Sequence, residues 1–366
     1  MVSSTPDPKS TTTTAVPSTP RVATRRVTRF SPRPFSSPLA AARNVGRPPI
    51  VLEWGSTMIR VGYAEQFQPQ HIIPLPRDPF QKLEAYQKEK KTDTWMVEEE
   101  SRWYDVVSPI IRQVFDRLMV DPTTRRVLVV SKPYPLKTWE MAVMESLWNL
   151  GVPAVVFLNS LEVIPVAQGW KRGLVVTFGQ DESHFLAYVD GHPLPFTYQV
   201  VPTGYKHGVE DDSKITCEWD DKMEKAWLDT NNPNSLVVAL LKCLEACPLD
   251  SRKDVIANML VCGDSSAVVP DLPRRLAVKL KAVLGEEEAT SDPASTTEQD
   301  DFPLTMVLPA IKLLKPLAGH VGLLSCAPYR SDLISWVGGS IHATLWHRQE
   351  DQSPVQWVLS PTGAAE

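Results

Sequence analysis

Two copies of one short pattern constrain the fold of this sequence more than any other feature. The pattern is a strand, a turn built around glycine and a second strand, found at 49–64 (PIVLEWGSTMIRVGYA) and again at 173–189 (GLVVTFGQDESHFLAYV). The second copy runs into Asp190-Gly191, a dipeptide typical of tight hairpins because both residues accept the positive φ angles that such turns need. A third strand is expected after each hairpin. The repeat predicts a duplicated α/β architecture with two turns facing each other across a cleft.

The turns are candidate nucleotide loops. A glycine turn exposes backbone N–H groups that can approach a phosphate, although a single turn on its own is better explained by an ordinary sheet edge. A third such turn, at 262–266, follows a strand expected at 259–262 and leads into a helix, a junction that can bind anions. The candidate binding residues are Glu53, Gly55, Ser56, Thr57, Gly179, Gln180, Asp181, Gly263, Asp264 and Ser265.

The composition is that of a large protein without a membrane segment. The chain has 366 residues, 43% of them hydrophobic, which is enough for a core divided between two lobes. No apolar run approaches the roughly eighteen residues that a membrane helix needs, and the net charge of -5 provides no general attraction to nucleic acid. The five cysteines form no CxxC pair, which favours a reducing compartment, buried thiols and no structural zinc. We therefore expect a cytoplasmic protein that does not insert into a membrane and has no nucleic acid among its partners.

Residues 1–48 differ in composition from the rest of the chain. They are rich in Ser, Thr and Pro, and contain eight basic residues but a single acid, Asp7. Such a segment cannot bury enough apolar surface to offset its ordering entropy, which predicts a flexible tail. Two roles stay open for it: an organellar targeting segment, which Arg- and Ser-rich starts resemble, or an electrostatic contact with an acidic surface such as a filament.

Beyond this tail, the chain divides into two predicted lobes, 49–170 and 171–346, and a C-terminal tail at 347–366. In both lobes strands alternate with helices, as in a mostly covered sheet. The second lobe includes a short charged insertion at about 200–234 and an acidic, solvated loop at 286–301. Its last helix is expected to pack back on the first lobe and to be interrupted at Gly338-Gly339, because each glycine costs about 1 kcal/mol in a helix relative to alanine.

Apolar spacing and capping residues predict where the helices begin. Apolar residues from Trp103 to Leu118 recur at helical intervals and predict one long amphipathic helix, after a loop or poorly formed helix at 79–100. Three later helices are expected to begin at side chains that can accept a hydrogen bond from the first turn: Thr138, Ser160 and Asp250.

Taken in this order, the segments resemble the actin family. EWGSTMIRVGYAE at 53–65 is similar to the family's first phosphate loop, GLVVTFGQDESHFLAYVDGHPLP at 173–195 to its second, and NMLVCGDSSAVVPDLPRRL at 258–276 to the loop on the adenosine side. In APYRSDLISWVGGSIHATL at 327–345, the most specific match, the proline, Trp336 and Gly338-Gly339-Ser340 fall at the family's spacing. The resemblance covers about 49–346 and implies an actin-like duplicated fold of two lobes, each a mixed sheet with flanking helices, here with reduced outer subdomains.

Departures from the family's pattern bear on nucleotide binding. The resemblance implies that an acidic residue in each phosphate loop holds magnesium and the phosphates; the first loop offers Glu53, whereas Thr177 and Gln180 replace the acids of the second. Gly263-Asp264 replaces a pair of glycines and brings a negative side chain near the nucleotide. Asp332 stands where a lysine packs on the adenine.

Hydrolysis is expected to be lost, because Ser160 stands where the family has the glutamine that orients the attacking water. ATP or ADP with magnesium is expected to bind weakly or not at all. The alternative is a diminished site of Glu53, Asp181 and His184 that holds nucleotide and turns it over slowly.

The resemblance also implies an assembly role. In the family, both outer subdomains are substantial insertions that receive the next subunit at the pointed end, but 66–101 and 201–235 are too short to build them whole. A subunit with one competent face can join a filament end and stop it, since a helical filament continues only through two heterologous surfaces. VDPTTRRVLVV at 120–130 and ACPLDSRKDVIANMLV at 246–261 are similar to segments of the actin-related pointed-end subunit of dynactin.

The implied partners are therefore the actin-related filament subunits and other pointed-end subunits of dynactin, and indirectly dynein, at the cytoskeleton. Three alternatives stay open: an ATPase or sugar kinase of the wider superfamily with this fold, a nuclear actin-related subunit of a chromatin complex, for which the basic tail is an address, and a scaffold in another assembly.

Overall fold

The computed structural model describes residues 47–76, 80, 95–205, 219, 221–269, 271–285, 311–348 and 358–359. Three sequence predictions therefore lie largely or wholly outside the described residues: the flexible tail at 1–48, the acidic loop at 286–301, and most of the loop or poorly formed helix predicted over 79–100.

The described strands form two mixed sheets. They are β1 (Ile50–Trp54), β2 (Met58–Tyr63), β3 (His71–Pro74), β4 (Val127–Ser131), β5 (Ala154–Asn159), β6 (Gly173–Phe178), β7 (Ser183–Val189), β8 (His192–Pro193), β9 (Gln199–Val201), β10 (Met259–Cys262) and β11 (Val358–Leu359). The first sheet has the order β11-β5-β4-β1-β2-β3; the second has the order β10-β6-β7-β8, with β9 paired to β7. The α/β class predicted from the sequence is confirmed.

The two sheets share one arrangement of strands. In the first sheet β1 pairs antiparallel with β2 and parallel with β4; in the second, β6 pairs antiparallel with β7 and parallel with β10. The two predicted hairpins are confirmed, and Asp190 and Gly191 have φ angles of 54° and 81°. Glu53 lies opposite Arg60 in the first hairpin, and Thr177 opposite His184 in the second.

Helices cover both sheets. They are α1 (Trp95–Leu118), α2 (Lys137–Asn149), α3 (Ser160–Gln168), α4 (Asp221–Met223), α5 (Leu236–Ala246), α6 (Arg252–Ala257), α7 (Leu272–Gly285), α8 (Ile311–Leu314) and α9 (Ile334–Arg348); a π-helical turn at Glu224–Leu228 continues α4. Apolar residues of α1 and α2 pack on one face of the first sheet, and those of α5, α6 and α7 on one face of the second. Among the described helices, none has the length and apolar character that crossing a membrane requires.

Helix α3 packs against both sheets, on the face of each that the helices above leave uncovered. Val163 packs with α9 against the first sheet, whereas Leu161 and Ile164 pack against the second. We call these two faces the inner faces; α3 covers both, and the turns at the ends of the strands come close together.

Helix α9 runs without interruption through Gly338-Gly339, so the predicted break is wrong. A Cβ atom on Gly338 would collide with the carbonyl oxygen of Val163 in α3, and one on Gly339 with the side chain of Val130 in β4. The glycines allow close backbone packing, and this packing offsets their low helix propensity.

Several predicted helix starts are also wrong. Helix α1 begins at Trp95 rather than Trp103. Helix α3 is capped by Asn159, which accepts a hydrogen bond from the backbone N–H of Leu161, and not by Ser160, because Asn159 already has the extended backbone that a cap needs. Helices α2 and α6 begin without a side-chain cap, so Thr138 and Asp250 do not have the predicted role.

Two segments pack more closely than their sequence suggested. Within the predicted insertion at 200–234, Met223, Trp227 and Leu228 are buried in the second core. Within the expected C-terminal tail, Val358–Leu359 pairs antiparallel with β5.

The third strand after Gly191 is short, only His192–Pro193, and β9 provides the further partner of β7. Three of the four described cysteines are buried thiols, as predicted.

Candidate functional site

The candidate site lies where the three glycine turns meet between the sheets. Along β1, alternation places Leu52 and Trp54 against α1 and turns Glu53 to the opposite face, toward the start of α9. Arg60 lies directly across the hairpin from Glu53 and therefore shares its face. The fold thus places an ion pair on the inner face of the first sheet, next to the first turn.

Arg60 is surrounded by carboxylates. Its Nη1 donates to Glu53 Oε2 at 3.2 Å and its Nη2 to Asp264 Oδ1 at 2.6 Å, while Asp332 Oδ2 lies 3.9 Å from Nη2. The Ser335 hydroxyl donates to the other oxygen of Glu53. We call Glu53, Arg60, Asp264 and Asp332 the cleft ion cluster. It ties the first sheet to the third turn and to the segment that precedes α9.

The cleft ion cluster is secluded from solvent. The Arg60 side chain is 2% exposed, and those of Asp264 and Asp332 are 16% and 11% exposed. Burial alone would lower the pKa of Arg60, but the charges of Glu53 and Asp264 outweigh burial and raise it. Burial also raises the pKa of Glu53, and the charge of Asp264 acts in the same direction, against the guanidinium and the Ser335 hydroxyl. The guanidinium is therefore a fixed positive charge among three acids.

The third turn is anchored on both sides. Gly263, with a φ of 107°, donates its N–H to Ser331 O, and Ser265 donates its N–H to Phe178 O at the end of β6. A Cβ atom on Gly55 would lie 3.1 Å from Asp264 Oδ2, so this carboxylate lies beside the first turn. Glycine at 55 permits that approach.

A second group of polar contacts lies at the rim of the cleft. Lys132, which follows β4, forms an ion pair with Glu182 at 2.9 Å, and Glu182 also contacts His184 Nε2 at 3.4 Å. Tyr198 bonds to Nδ1 of His184 and meets the ring of Tyr134 edge to face. We call these five residues the rim cluster. The hydrogen bond with His184, followed by the charge of Lys132, lowers the pKa of Glu182 to about 2 despite partial burial.

The ten predicted site residues have different surroundings. The structure brings Glu53, Gly55 and Asp264 together, and Ser265 joins the third turn to β6. Ser56 and Asp181 are exposed. The Gly179 N–H donates within its own turn, to Glu182 O. Thr57 Oγ1, Gln180 Oε1 and also Thr177 Oγ1 are buried atoms without a hydrogen-bond partner in the described part of the chain.

Sequence reasoning missed the residue at the centre of the site, Arg60. Its signal is present in the sequence, since MIRVGY places one charge in a strand that is otherwise apolar and buried on both faces. A charge in such a strand needs an acidic partner. Lys132, Glu182 and Ser335 carry no comparable local signal.

The cleft residues do not fit a magnesium-bound nucleotide. A phosphate approaching the first turn meets the Asp264 carboxylate, and the guanidinium of Arg60 beside it is already bonded to Glu53 and Asp264. On the second turn, Thr177 and Gln180 are neutral and cannot supply the negative charges that hold Mg²⁺. Within the described ranges, no group of three His, Cys, Asp or Glu side chains is arranged to hold a metal ion.

No protein-family model matches this sequence, and a comparison with curated proteins finds no match.

Proposed function

We propose that this chain has the actin-like duplicated fold with reduced outer subdomains. The shared strand arrangement supports the duplication: each sheet has a hairpin whose first strand also pairs in parallel with a later strand. The packing of α9 on the first sheet supports the return of the chain to its first lobe.

We further propose that the chain is a non-catalytic structural subunit that ends an actin-related filament. The observation that carries this proposal is the shortness of the two segments that leave the sheets. Pro74 ends β3 and Trp95 already begins α1; Val201 ends β9 and Asp221 begins α4. Neither interval has enough residues for a whole outer subdomain, and on this proposal a subunit without the surface that receives a further subunit ends the filament.

The assembly that best suits such a subunit is dynactin. On this proposal the chain is actin-related protein ten (also numbered eleven), at the pointed end of the actin-related filament, where it supports dynein-based transport at the cytoskeleton. Its partners are the filament subunits and the other pointed-end subunits. The similarity of 120–130 and 246–261 to this subunit supports the assignment.

The cleft ion cluster supports the non-catalytic role. An enzyme that uses this cleft must admit a nucleotide and release the product, but here Arg60 is bonded to acids of the same chain. Titration calorimetry with Mg·ATP, together with a phosphate-release assay, tests this point. Rapid magnesium-dependent turnover contradicts it and favours the ATPase alternative.

Purification of the tagged full-length chain from cells of its source organism, followed by mass spectrometry and electron microscopy, tests the assembly. We expect dynactin subunits to co-purify, and density for this chain at the filament end with a filament neighbour on one side only. Chromatin proteins in place of dynactin, or a position inside the filament with neighbours on both sides, contradict the proposal.

A further inference from the structure

Arg60 has the geometry of an anion-binding residue whose site is already taken. The Nε and Nη2 groups form one side of a guanidinium, the fork that binds carboxylate or phosphate through two parallel hydrogen bonds. Nη2 donates to Asp264 at 2.6 Å, and Nε is buried without a partner among the described residues. One half of this fork is therefore used by the chain itself.

Asp264 reaches this fork from the other half of the molecule. It follows β10 of the second sheet, whereas Arg60 is in β2 of the first, and the contact joins residues 204 positions apart in the chain. Its second oxygen rests against Gly55 in the first turn. The carboxylate thus lies between the guanidinium, to which it is hydrogen-bonded, and the first turn, whose Gly55 N–H donates to Met58 O.

We infer that Asp264 is a built-in counter-ion: it occupies the anion position beside Arg60, closes the cleft without a ligand and excludes phosphate groups. The reason is electrostatic. Arg60 is flanked by Glu53, Asp264 and Asp332, so a phosphate adds negative charge where acids already outnumber the cation. Removal of Asp264 frees Nη2 beside the unpartnered Nε and restores the complete fork.

The test compares wild type with Asp264→Ala and Asp264→Asn, using calorimetry and thermal melting with inorganic phosphate and with Mg·ATP. We expect neither inorganic phosphate nor Mg·ATP to shift the melting temperature of the wild type. We expect D264A to bind phosphate on the order of tenfold more tightly than wild type, because a hydrogen bond to a charged group is regained. D264N keeps the side-chain shape but loses the charge, and its gain in phosphate affinity is expected to be smaller. D264N also provides the test if D264A does not fold.

Asp271→Asn is the matched control. Asp271 lies just before α7, where it pairs with Arg274 and Arg275 on the surface. The substitution removes the same charge but leaves the cleft unchanged, so we expect no gain of phosphate binding. An equal gain in D271N would indicate a general effect of net charge and overturn the inference.

Hydrogen exchange reports on closure. In wild type we expect the amides of Gly263 and Ser265, which are bonded to Ser331 O and Phe178 O, to be protected equally with and without Mg·ATP. In D264A they should exchange faster, and phosphate should slow them again. A wild type that is stabilised by Mg·ATP, or a folded D264 variant without any gain in binding, overturns the inference. Neither result depends on the filament role, because the isolated chain is measured.

Discussion

Replacing Arg60 with methionine tests whether the cleft ion cluster stabilises the fold. Methionine keeps much of the apolar stem of arginine but leaves Glu53 and Asp264 without their cation in a site where the guanidinium is 2% exposed. Removing one partner of a buried ion pair costs about 3–5 kcal/mol, because the remaining charge stays buried and unpaired. We therefore expect R60M to lower the free energy of unfolding by about that amount at pH 7.

Urea unfolding followed by tryptophan fluorescence measures this loss, with Arg172→Met as the matched control. Arg172 also contacts two acids, Asp190 at 2.9 Å and Asp254 at 2.7 Å, but its side chain is 44% exposed. Because water screens exposed pairs, R172M should change stability little. A loss for R60M no larger than that for R172M would refute the assignment of a buried structural role.

A second substitution separates charge from packing. In R60M the loss of stability comes from buried acids that have lost their cation, so adding Glu53→Gln should recover part of it. Lower pH should act in the same way: burial already raises the pKa of Glu53, and an acid with a raised pKa costs stability only while the pH keeps it ionised. If packing alone explained the loss, neither change would matter.

Three further predictions concern the rest of the fold. Gly338→Ala should lower stability by about 1–3 kcal/mol through overpacking against α3, whereas Gly319→Ala, with no atom within 4 Å of the new Cβ, should be neutral in thermal melting. The histidine and lysine neighbours of Glu182 lower its pKa to about 2, so ionised Glu182 stabilises the fold fully above pH 4.5 and loses this effect as the pH falls toward 2. Glu182→Gln should therefore flatten the pH dependence of the unfolding midpoint between pH 4.5 and pH 2. Trp227→Ala should cost about 3–5 kcal/mol in urea unfolding, because Trp227 is fully buried and packs edge to face on Phe178.

The elements that sequence predicted well are those set by neighbours in the chain. The hairpin at Asp190-Gly191 depends on two residues that accept positive φ, and the helix around Trp103 depends on apolar spacing. The predicted cap of α3 is wrong by one residue because Asn159 and Ser160 are both residue types that cap helices well. The choice depends on where β5 ends, which leaves Asn159 in the extended conformation that a cap needs. The uninterrupted α9 was missed because its glycines are favoured by contact with another helix, which propensity does not include.

The candidate site was only partly predictable for the same reason. The turns that carry Glu53, Gly55 and Asp264 were identified from their glycines, but which side chain fills the space between them depends on how the two halves close. The bond between Arg60 and Asp264 joins a strand of the first sheet to the turn that follows a strand of the second, and no local pattern encodes it. The isolated charge in β2 was the available signal, and it indicated a buried acid partner without identifying Asp264.

Helix α9 connects the cleft to the packing of the two halves. Ser335, in its first turn, donates to Glu53, and Gly338, one turn later, lies against the carbonyl of Val163 in α3. Since α3 packs on the inner faces of both sheets, the position of α9 links the cleft ion cluster to the contact between the halves. An enzyme with this architecture must open its cleft to exchange ligand. On the proposed function, a filament subunit instead needs its contact surfaces held in one arrangement, and the cleft ion cluster, which joins the two halves, provides that without a ligand.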